Sequence, residues 1–223
     1  MNDFDAFALG ELEEETELIP IITSEDEERF SKEEIPDTLP ILPLRNTVLF
    51  PGLVIPITVG REKSILLVNE ANKSNKTIGV VAQKEGKVED PNYDELHQIG
   101  TVAHIVKVLK MPDGTTTVII QGKRKFELKD VIQVEPYLKA NIKPYGEALE
   151  IPHDDQFKAL IGSLKDLALQ IIKLSPNIPS EAAFAIKNIE NPSFLVNFIS
   201  SNMNAELKDK QNLLELIDLR ERA

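Results

Sequence analysis

The segment Leu39–Ser64 constrains the fold of this chain more than any other stretch of its 223 residues. Two short apolar runs, 41–44 and 53–59, flank the tight segment 46–52, and both are strand-like in composition. Proline has no backbone N–H to give to a sheet, so strands that contain it must lie at sheet edges, at strand ends or at bulges. The stretch contains four prolines, Pro40, Pro43, Pro51 and Pro56. The pattern therefore predicts a strongly bent, barrel-like beginning to a sheet.

The region that follows is mostly strand in pattern, with one helix. Helical spacing of apolar residues predicts a helix over Arg61–Lys73, and the apolar run Thr77–Gln83 is typical of a strand buried on both faces. Two long β-rich segments, Thr101–Met111 and Thr115–Leu128, are separated by Pro-Asp-Gly, which is a strong hairpin signal. Residues 131–143 predict one or two further strands. Mixed strands with a single crossing helix indicate a small, partly open β-barrel.

The C-terminal part of the chain has helical periodicity. The predicted helices span 153–174, 180–189, 194–203 and 207 to the end. Prolines at 176 and 179 separate the first two, and Asn191-Pro192 is a strong N-cap signal for the third. The stripe expected to be buried on the first helix comprises Phe157, Leu160, Ile161, Leu164, Leu167, Ala168 and Ile171. We predict an α+β protein with a barrel domain at 39–146 and a C-terminal α-helical bundle at 147–223, whose last helix has no stop signal and is expected to be truncated.

The formal net charge of −12 lies entirely in the N-terminal arm, residues 1–38, which carries 14 acidic and two basic side chains. A segment this acidic, and this poor in aromatic and β-branched residues, cannot bury enough apolar surface to offset the entropy lost on ordering. The sequence therefore predicts a disordered arm. The alternative is a partner-docking arm or an electrostatic decoy, anchored by Phe4, Phe7 and Leu18–Ile22.

Composition excludes several classes of protein. The chain has no cysteine, which excludes disulfides, thiol catalysis and thiolate metal sites. No apolar run approaches the ~20 residues that a membrane-spanning helix needs. The acidic first residues are also unlike the basic start of a secretory leader. Together these features predict a cytoplasmic protein.

Three strings are specific enough to indicate a family: PLRNTVLFPG at 43–52, PITVGREKS at 56–64 and GVVAQK at 79–84. Together they resemble the opening of the N-terminal domain of Lon, the ATP-dependent serine protease of bacteria and organelles. The resemblance continues more loosely to residue 223. It implies that the barrel is a PUA-like pseudobarrel, and that the helices link it to an ATPase ring and help to arrange six identical subunits.

The resemblance implies substrate recruitment, and the chain contains no sequence signature of catalysis. The serine–lysine dyad of the family lies downstream of the region matched here, so no catalytic residue is transferred to this chain. The sequence contains neither a Gly-x-x-x-x-Gly-Lys-Ser/Thr loop nor a Gly-x-Ser-x-Gly elbow. ATP and Mg²⁺ are therefore expected only in the downstream ATPase domain of the parent protein. The isolated histidines 97, 104 and 153 predict no metal site, and the short basic run 123–125 in a body without net positive charge predicts no binding of nucleic acid.

The predicted site is a surface that captures unfolded or degron-bearing proteins through exposed apolar groups and strand edges. Its residues are expected to be Val48, Leu49, Phe50 and Pro51 in an apolar loop, and Arg61, Glu62 and Lys63 at a charged helix start. The resemblance places this helix start in the substrate-handling region of the family, although Leu66 and Leu67 replace the more polar residues expected there. Two alternatives remain open: Phe50 plugs the barrel, and the helix start is a solvated first turn. The alternative function is a free-standing polypeptide-binding or adaptor module without an attached enzyme.

Overall fold

The computed structural model describes residues 35–112, 114–146, 151–152, 154–175 and 180–223. Several sequence-based expectations lie outside these residues. They are the disordered arm apart from its last four residues, Asp113 of the predicted hairpin, the beginning of the helical domain at 147–150, His153, and the helix-breaking prolines 176 and 179.

Six strands and six helices follow one another in the described residues. The strands are β1 (Thr38–Leu44), β2 (Val54–Val59), β3 (Thr77–Ala82), β4 (Ile99–Lys110), β5 (Thr116–Gln133) and β6 (Lys139–Pro144). The helices are α1 (Glu62–Lys73), α2 (Asp155–Leu174), α3 (Ser180–Asn188), α4 (Pro192–Asn202), α5 (Leu207–Glu215) and α6 (Leu219–Arg222), and a 3₁₀ turn forms at Tyr93–Glu95. Within the described ranges, no helix is both long enough and apolar enough to cross a membrane.

The sheet closes into a barrel through β5. Its strand order is β2-β5-β4-β3-β1-β6, and β5 also pairs with β6. β5 has 18 residues; its first part, Thr116–Gln121, pairs with β2, whereas its last part, Phe126–Gln133, pairs with β6. Five described strands thus form a closed ring of pairings, and β2 is attached outside it. The predicted α+β class, with a strand-rich N-terminal half and one helix inserted into it, is confirmed.

The prolines of the N-terminal segment lie where the sheet tolerates them. The first residues of β1 pair with β6 and include Pro40, whereas its last residues pair with β3 and include Pro43. Among the described residues, each of these prolines therefore has a paired strand on one side only. Pro56 lies in β2 at the edge of the sheet, and Pro51 lies in a turn. The prediction made from proline placement is confirmed for Pro56, whereas Pro40 and Pro43 lie in an interior strand that changes its paired neighbour between them.

Close packing inside the barrel depends on Gly100 of β4. A Cβ atom at this position would lie 2.4 Å from the carbonyl oxygen of Val80 and 2.9 Å from the ring of Phe126. Phe126 is fully buried, and its ring occupies the space that a side chain on Gly100 would need. On the outer side of the sheet, α1 buries Leu67, Val68 and Ala71.

Helix α2 is less buried than its apolar stripe predicts. All its residues are described, and Phe157 alone among them is buried. Leu167 and Ile171 are 56% and 59% exposed, so burial along the whole predicted stripe is wrong. The Lys165 ammonium of α2 donates to the carbonyls of Lys187 (2.9 Å) and Ile189 (3.0 Å) at the end of α3, so the nine-residue α3 runs along the C-terminal half of α2, but Leu167 and Ile171 stay exposed beside it.

The third C-terminal helix begins as predicted. The Asn191 side chain accepts a hydrogen bond from the Phe194 N–H at 3.0 Å, with Pro192 at the first helical position. Phe194 and Leu195 of α4 then join the main core cluster of the sheet. The expectation that the four C-terminal segments form a bundle stays a prediction.

The last helix is interrupted, and the prediction of one continuous helix is wrong. The Lys125 ammonium of β5 donates to the carbonyl oxygens of Leu214 (3.0 Å) and Leu216 (2.8 Å), which lie at the end of α5. The Asp218 side chain then accepts from the Arg220 N–H at 2.7 Å and caps α6. Lys125 of the barrel thus satisfies carbonyls at the end of α5, and Asp218 caps the beginning of α6.

Candidate functional site

The loop predicted to offer an apolar contact is buried. Val48, Leu49 and Phe50 are 4%, 3% and 0% exposed, and all three belong to the main core cluster. The Thr101 hydroxyl of β4 donates to the Leu49 carbonyl at 2.6 Å and fixes the loop against the sheet. The expectation that these three side chains are available to a partner is therefore wrong. The alternative left open, that Phe50 plugs the barrel, is not observed either: Phe50 is buried in the cluster that contains Leu67 and Val68 of α1, which is separate from the cluster around Phe126.

A glycine in β5 allows this loop to approach the sheet. A Cβ atom on Gly122 would lie 2.5 Å from the Phe50 carbonyl oxygen, so a residue with a side chain would push the loop away. The Gly52 N–H donates to the Gly122 carbonyl at 2.9 Å. Pro51 is partly exposed, and its carbonyl accepts a hydrogen bond of 3.0 Å from the Asn197 side chain of α4. The loop is thus a joint between the barrel and a C-terminal helix.

A shallow groove of about 80 Å³ lies at the beginning of α1. The first turns of α1, residues 90–93 and the connection between β5 and β6 form its walls. Its apolar lining comprises Ile41, Pro43, Leu67, Tyr93, Val131, Val134, Tyr137 and Leu138. Two of the seven predicted site residues, Arg61 and Lys63, also line it, and Glu62 is exposed on the same helical turn. Small-molecule pockets usually enclose ~300 Å³ or more, so this groove suits one or two side chains of a longer chain.

Arg61 is occupied in holding the loop that forms one wall. Its guanidinium donates to the Gln83 side-chain oxygen, and the Gln83 amide in turn donates to the Val88 carbonyl at 2.9 Å. Arg45 reaches the same carbonyl at 3.5 Å. Burial and the neighbouring Arg45 lower the pKa of Arg61. Arg61 therefore organises the groove through Gln83, which is itself completely buried.

Lys63 bridges the two walls of the groove. Its ammonium lies 2.8 Å from Asp90 on one wall and 3.0 Å from Glu135 on the other. Hydrogen bonds to these two carboxylates raise the pKa of Lys63. All three side chains are accessible to solvent, so the bridge can open and re-form when another charged group arrives.

An apolar rim beside the groove was not singled out from the sequence. Val131, Ile132 and Val134 are 37%, 58% and 55% exposed, although their composition indicates a half-buried strand. Two irregularities in the pairing of β5 with β6, on either side of Val131, interrupt the alternation that would bury one face of the strand. The apolar residues of Val-Ile-Gln-Val at 131–134, shortly ahead of Pro136, are the sequence signal that could have indicated this rim.

The family model for the substrate-binding domain of the ATP-dependent protease La (Lon) matches residues 38–223. The chain is 58% identical over 219 residues to the Lon protease of Flavobacterium johnsoniae, and 50% identical over 210 residues to that of Cytophaga hutchinsonii. These matches cover 98% and 94% of this chain but only 27% and 26% of the relatives. The chain thus spans about a quarter of the length of these curated relatives.

Solved structures show the same fold. The N-terminal domain of a Lon protease from the Mycobacterium avium complex superposes with a TM-score of 0.66 at 22% identity, covering 83% of this chain and 93% of the other. The Lon N-terminal domain protein of Xanthomonas campestris gives a TM-score of 0.60 at 16% identity, with coverage of 83% and 94%. The match of the family model to most of the chain shows that the chain belongs to the family of Lon substrate-binding domains.

Proposed function

We propose that this chain recruits unfolded or degron-bearing proteins to an ATP-dependent serine protease of the Lon type, and that the groove at the beginning of α1 is one contact site. The observation that supports this most is the exposed apolar rim at Val131, Ile132 and Val134 beside the charged first turn of α1. Contiguous apolar patches on the surface of a folded protein mark interaction sites.

The groove suits weak, sequence-tolerant binding. An extended polypeptide can place an apolar side chain against Tyr93, Val131 and Val134 while its backbone stays in the open mouth of the groove. Ordering a flexible chain costs free energy, and a contact this small offsets little more than that cost. We therefore expect dissociation constants in the micromolar range or weaker. Weak binding also suits a recruiting site, because the captured chain must be released for transfer.

The wider function of the parent protein is part of the proposal. We propose that the parent is a homo-hexameric endopeptidase in the cytoplasm, whose ATP, Mg²⁺ and catalytic serine belong to domains that this chain does not include. The share of the relatives that the chain covers supports this proposal. The other candidate is a free-standing adaptor. A blot of the source cells with an antibody against this segment separates the two, because a band near 25 kDa would identify the adaptor.

A titration of a fluorescent unfolded protein with the chain tests the recruiting function. We expect saturable binding that weakens at least three-fold when Ile132→Ser and Val134→Ser are combined, since they remove exposed apolar area from the rim. The matched control combines Leu174→Ser in α2 with Phe184→Ser in α3. These two residues are 82% and 71% exposed and do not line the groove, so the control should leave affinity unchanged. Absence of a saturable signal at ~100 µM would overturn the proposal.

A further inference from the structure

The local sequence permits one continuous helix where α5 and α6 are separate. The segment 207–223 contains neither glycine nor proline, and a helix interior tolerates every residue in it. Leu216 and Asp218 nevertheless have extended backbone, with ψ angles of 125° and 124°. Asp218 and Arg222 also have the i, i+4 spacing at which an acidic and a basic side chain support a helix. The bend therefore depends on contacts from other parts of the molecule.

Three side chains replace the backbone donors that a continuous helix would supply. In such a helix, the carbonyls of residues 214–216, which we call the joint carbonyls, would accept from the N–H groups of residues 218–220. In the structure, the Lys125 ammonium donates to the first of them at 3.0 Å and to the third at 2.8 Å. The Tyr145 hydroxyl donates to the second at 3.0 Å, and the Arg222 guanidinium donates to the third at 3.0 Å. Each joint carbonyl thus has a donor in the bent segment, and would have a different one in a straight helix.

Two of these three side chains come from the barrel. Lys125 belongs to β5, and Tyr145 follows β6 directly. The Tyr145 N–H donates to the Lys125 carbonyl at 3.1 Å, and the Lys125 ammonium lies 5.4 Å from the centre of the Tyr145 ring. The two side chains therefore reach the joint carbonyls together, and they supply three of the four hydrogen bonds described there.

The bent state gains packing but leaves one polar atom unpaired. Leu219 of α6 is buried with Phe157 of α2 and Val196 of α4. Arg222 donates to the Asn197 side chain at 2.7 Å, but its buried Nε atom has no hydrogen-bond partner among the described residues. A buried polar atom without a partner costs free energy, which part of the packing must offset. The bent state is therefore favoured only moderately, and loss of the barrel donors should reverse the balance.

We propose that the segment 207–223 is a two-state element whose bend the barrel controls. When Lys125 and Tyr145 hold the joint carbonyls, α6 lies on α2 and α4 and covers Phe157 and Val196. When these two donors withdraw, α5 and α6 join into one straight helix, α6 leaves its place, and the two apolar side chains become accessible. The joint thus converts a change in the barrel into a change in the apolar surface of the C-terminal helices.

The chemical shifts of Cα atoms test this proposal, because they distinguish helical from extended backbone at single residues. Combining Lys125→Met with Tyr145→Phe removes three hydrogen bonds from the joint carbonyls and preserves most of the side-chain volume. In the isotope-labelled 223-residue chain, the Cα shifts of Leu216 and Asp218 should move from extended towards helical values. We expect the ratio of straight to bent molecules to rise at least about ten-fold. Shifts that stay extended, or that move to random-coil values, would overturn the proposal.

Two further variants keep the result interpretable. Tyr145→Phe alone removes one of the three hydrogen bonds, so it should move both Cα shifts in the same direction by a smaller amount. It provides the test if the double variant does not fold, and unchanged shifts would again contradict the proposal. The matched control, Lys129→Met, removes an ammonium of β5 that pairs with Glu127 and not with the joint, and should leave both shifts as they are.

A proline should restore the bend. Ile217→Pro, added to the double variant, should return the Cα shift of Asp218 to its extended value, because proline disrupts a helix interior. The extended backbone of Leu216 is the conformation that a residue before proline prefers, so the bent state accepts this substitution. An Asp218 shift that stays at the value of the double variant would show that the change does not come from straightening, and would overturn the proposal.

Discussion

The barrel and the α2–α3 pair hold apolar side chains of similar size in opposite environments. Phe50, in the loop before β2, is completely buried, whereas Phe184 of α3 is 71% exposed. Ile41 of β1 is likewise buried, and Ile171 of α2 is 59% exposed. The sheet surrounds its apolar residues with strands from distant parts of the chain, but α2 buries only Phe157, against Val196 of α4 and Leu219 of α6. Apolar identity alone therefore does not say which residues hold the fold together.

The contrast separates two uses of apolar surface. In the barrel, residues as far apart as β1 and β5 close one cluster around Phe126, so a change there affects many contacts at once. At the end of α2, Leu174 is 82% exposed, so replacing its side chain should change the free energy of unfolding little. Matched substitutions in the two regions can break or sharpen this comparison.

The largest expected difference is between Phe50→Ala and Phe184→Ala. Loss of a buried phenylalanine leaves a cavity and should reduce the free energy of unfolding by about 3–5 kcal/mol. The same substitution at exposed Phe184 should change it by less than about 0.5 kcal/mol. Urea denaturation followed by circular dichroism measures both. Similar losses in the two variants would mean that α3 is as well covered as the barrel, and the comparison would fail.

Replacing either of two glycines by alanine should change stability in opposite directions. Gly122→Ala places a Cβ atom 2.5 Å from the Phe50 carbonyl, and we expect a loss of about 1–3 kcal/mol because the buried loop must shift. Gly162→Ala lies in the middle of α2 with no atom within 4 Å of the new Cβ. It should stabilise the protein by up to about 1 kcal/mol through helix propensity. The midpoints of urea unfolding should therefore move in opposite directions, and movement in the same direction would contradict the packing described at Gly122.

Lys125, which joins the barrel to α5, should make stability depend on pH. Burial, and then the neighbouring Arg222, lower the pKa of Lys125 from 10.5 to about 7. Between these two values the unfolded chain binds more protons than the folded one, so the free energy of unfolding should rise with pH above 7. For one titrating group, the free energy of unfolding can rise by at most about 1.4 kcal/mol per pH unit. We expect roughly half of that slope, because the Lys125 side chain is partly in solvent.

The variant Lys125→Met isolates this contribution. Its unfolding free energy should lack the rise that the unmodified chain shows between pH 7 and 9.5, a range that lies above the ordinary pKa of histidine and below that of tyrosine. Urea titrations at several pH values provide the comparison. Parallel profiles for the two proteins would show that Lys125 does not titrate in this window.

Features set by neighbouring residues could be predicted from the sequence. The helix at 62–73, the paired long strands β4 and β5, and the cap at Asn191 follow from periodicity, turn residues and capping chemistry within a few positions. The resemblance added the family, which the match of the family model confirms, whereas the recruiting role stays a proposal. Of the residues predicted for the site, Arg61 and Lys63 line the groove, and their part in binding stays a prediction.

Features set by distant contacts could not be predicted. The Leu49 carbonyl is bonded by a residue 52 positions away, and α5 ends where Lys125 reaches carbonyls 89 and 91 positions away. No local pattern distinguishes a buried Phe50 from an exposed one, or an exposed Ile132 from a strand residue. In each case a partner far along the chain decides the environment, and a single sequence does not identify that partner.

The smallest expected effect compares two helix caps with the same geometry. Asn191 and Asp154 each accept a hydrogen bond of 3.0 Å from a backbone N–H three residues ahead, at the beginnings of α4 and α2. Asn191 is buried, so Asn191→Ala leaves the Phe194 N–H without this partner inside the protein and should cost about 1 kcal/mol. Asp154→Ala should cost less, because water can replace the carboxylate at its exposed site. Urea denaturation at pH 7 ranks the two losses. A larger loss for Asp154→Ala would mean that its contact with Arg220, which ties α2 to α6, matters more than burial of the cap.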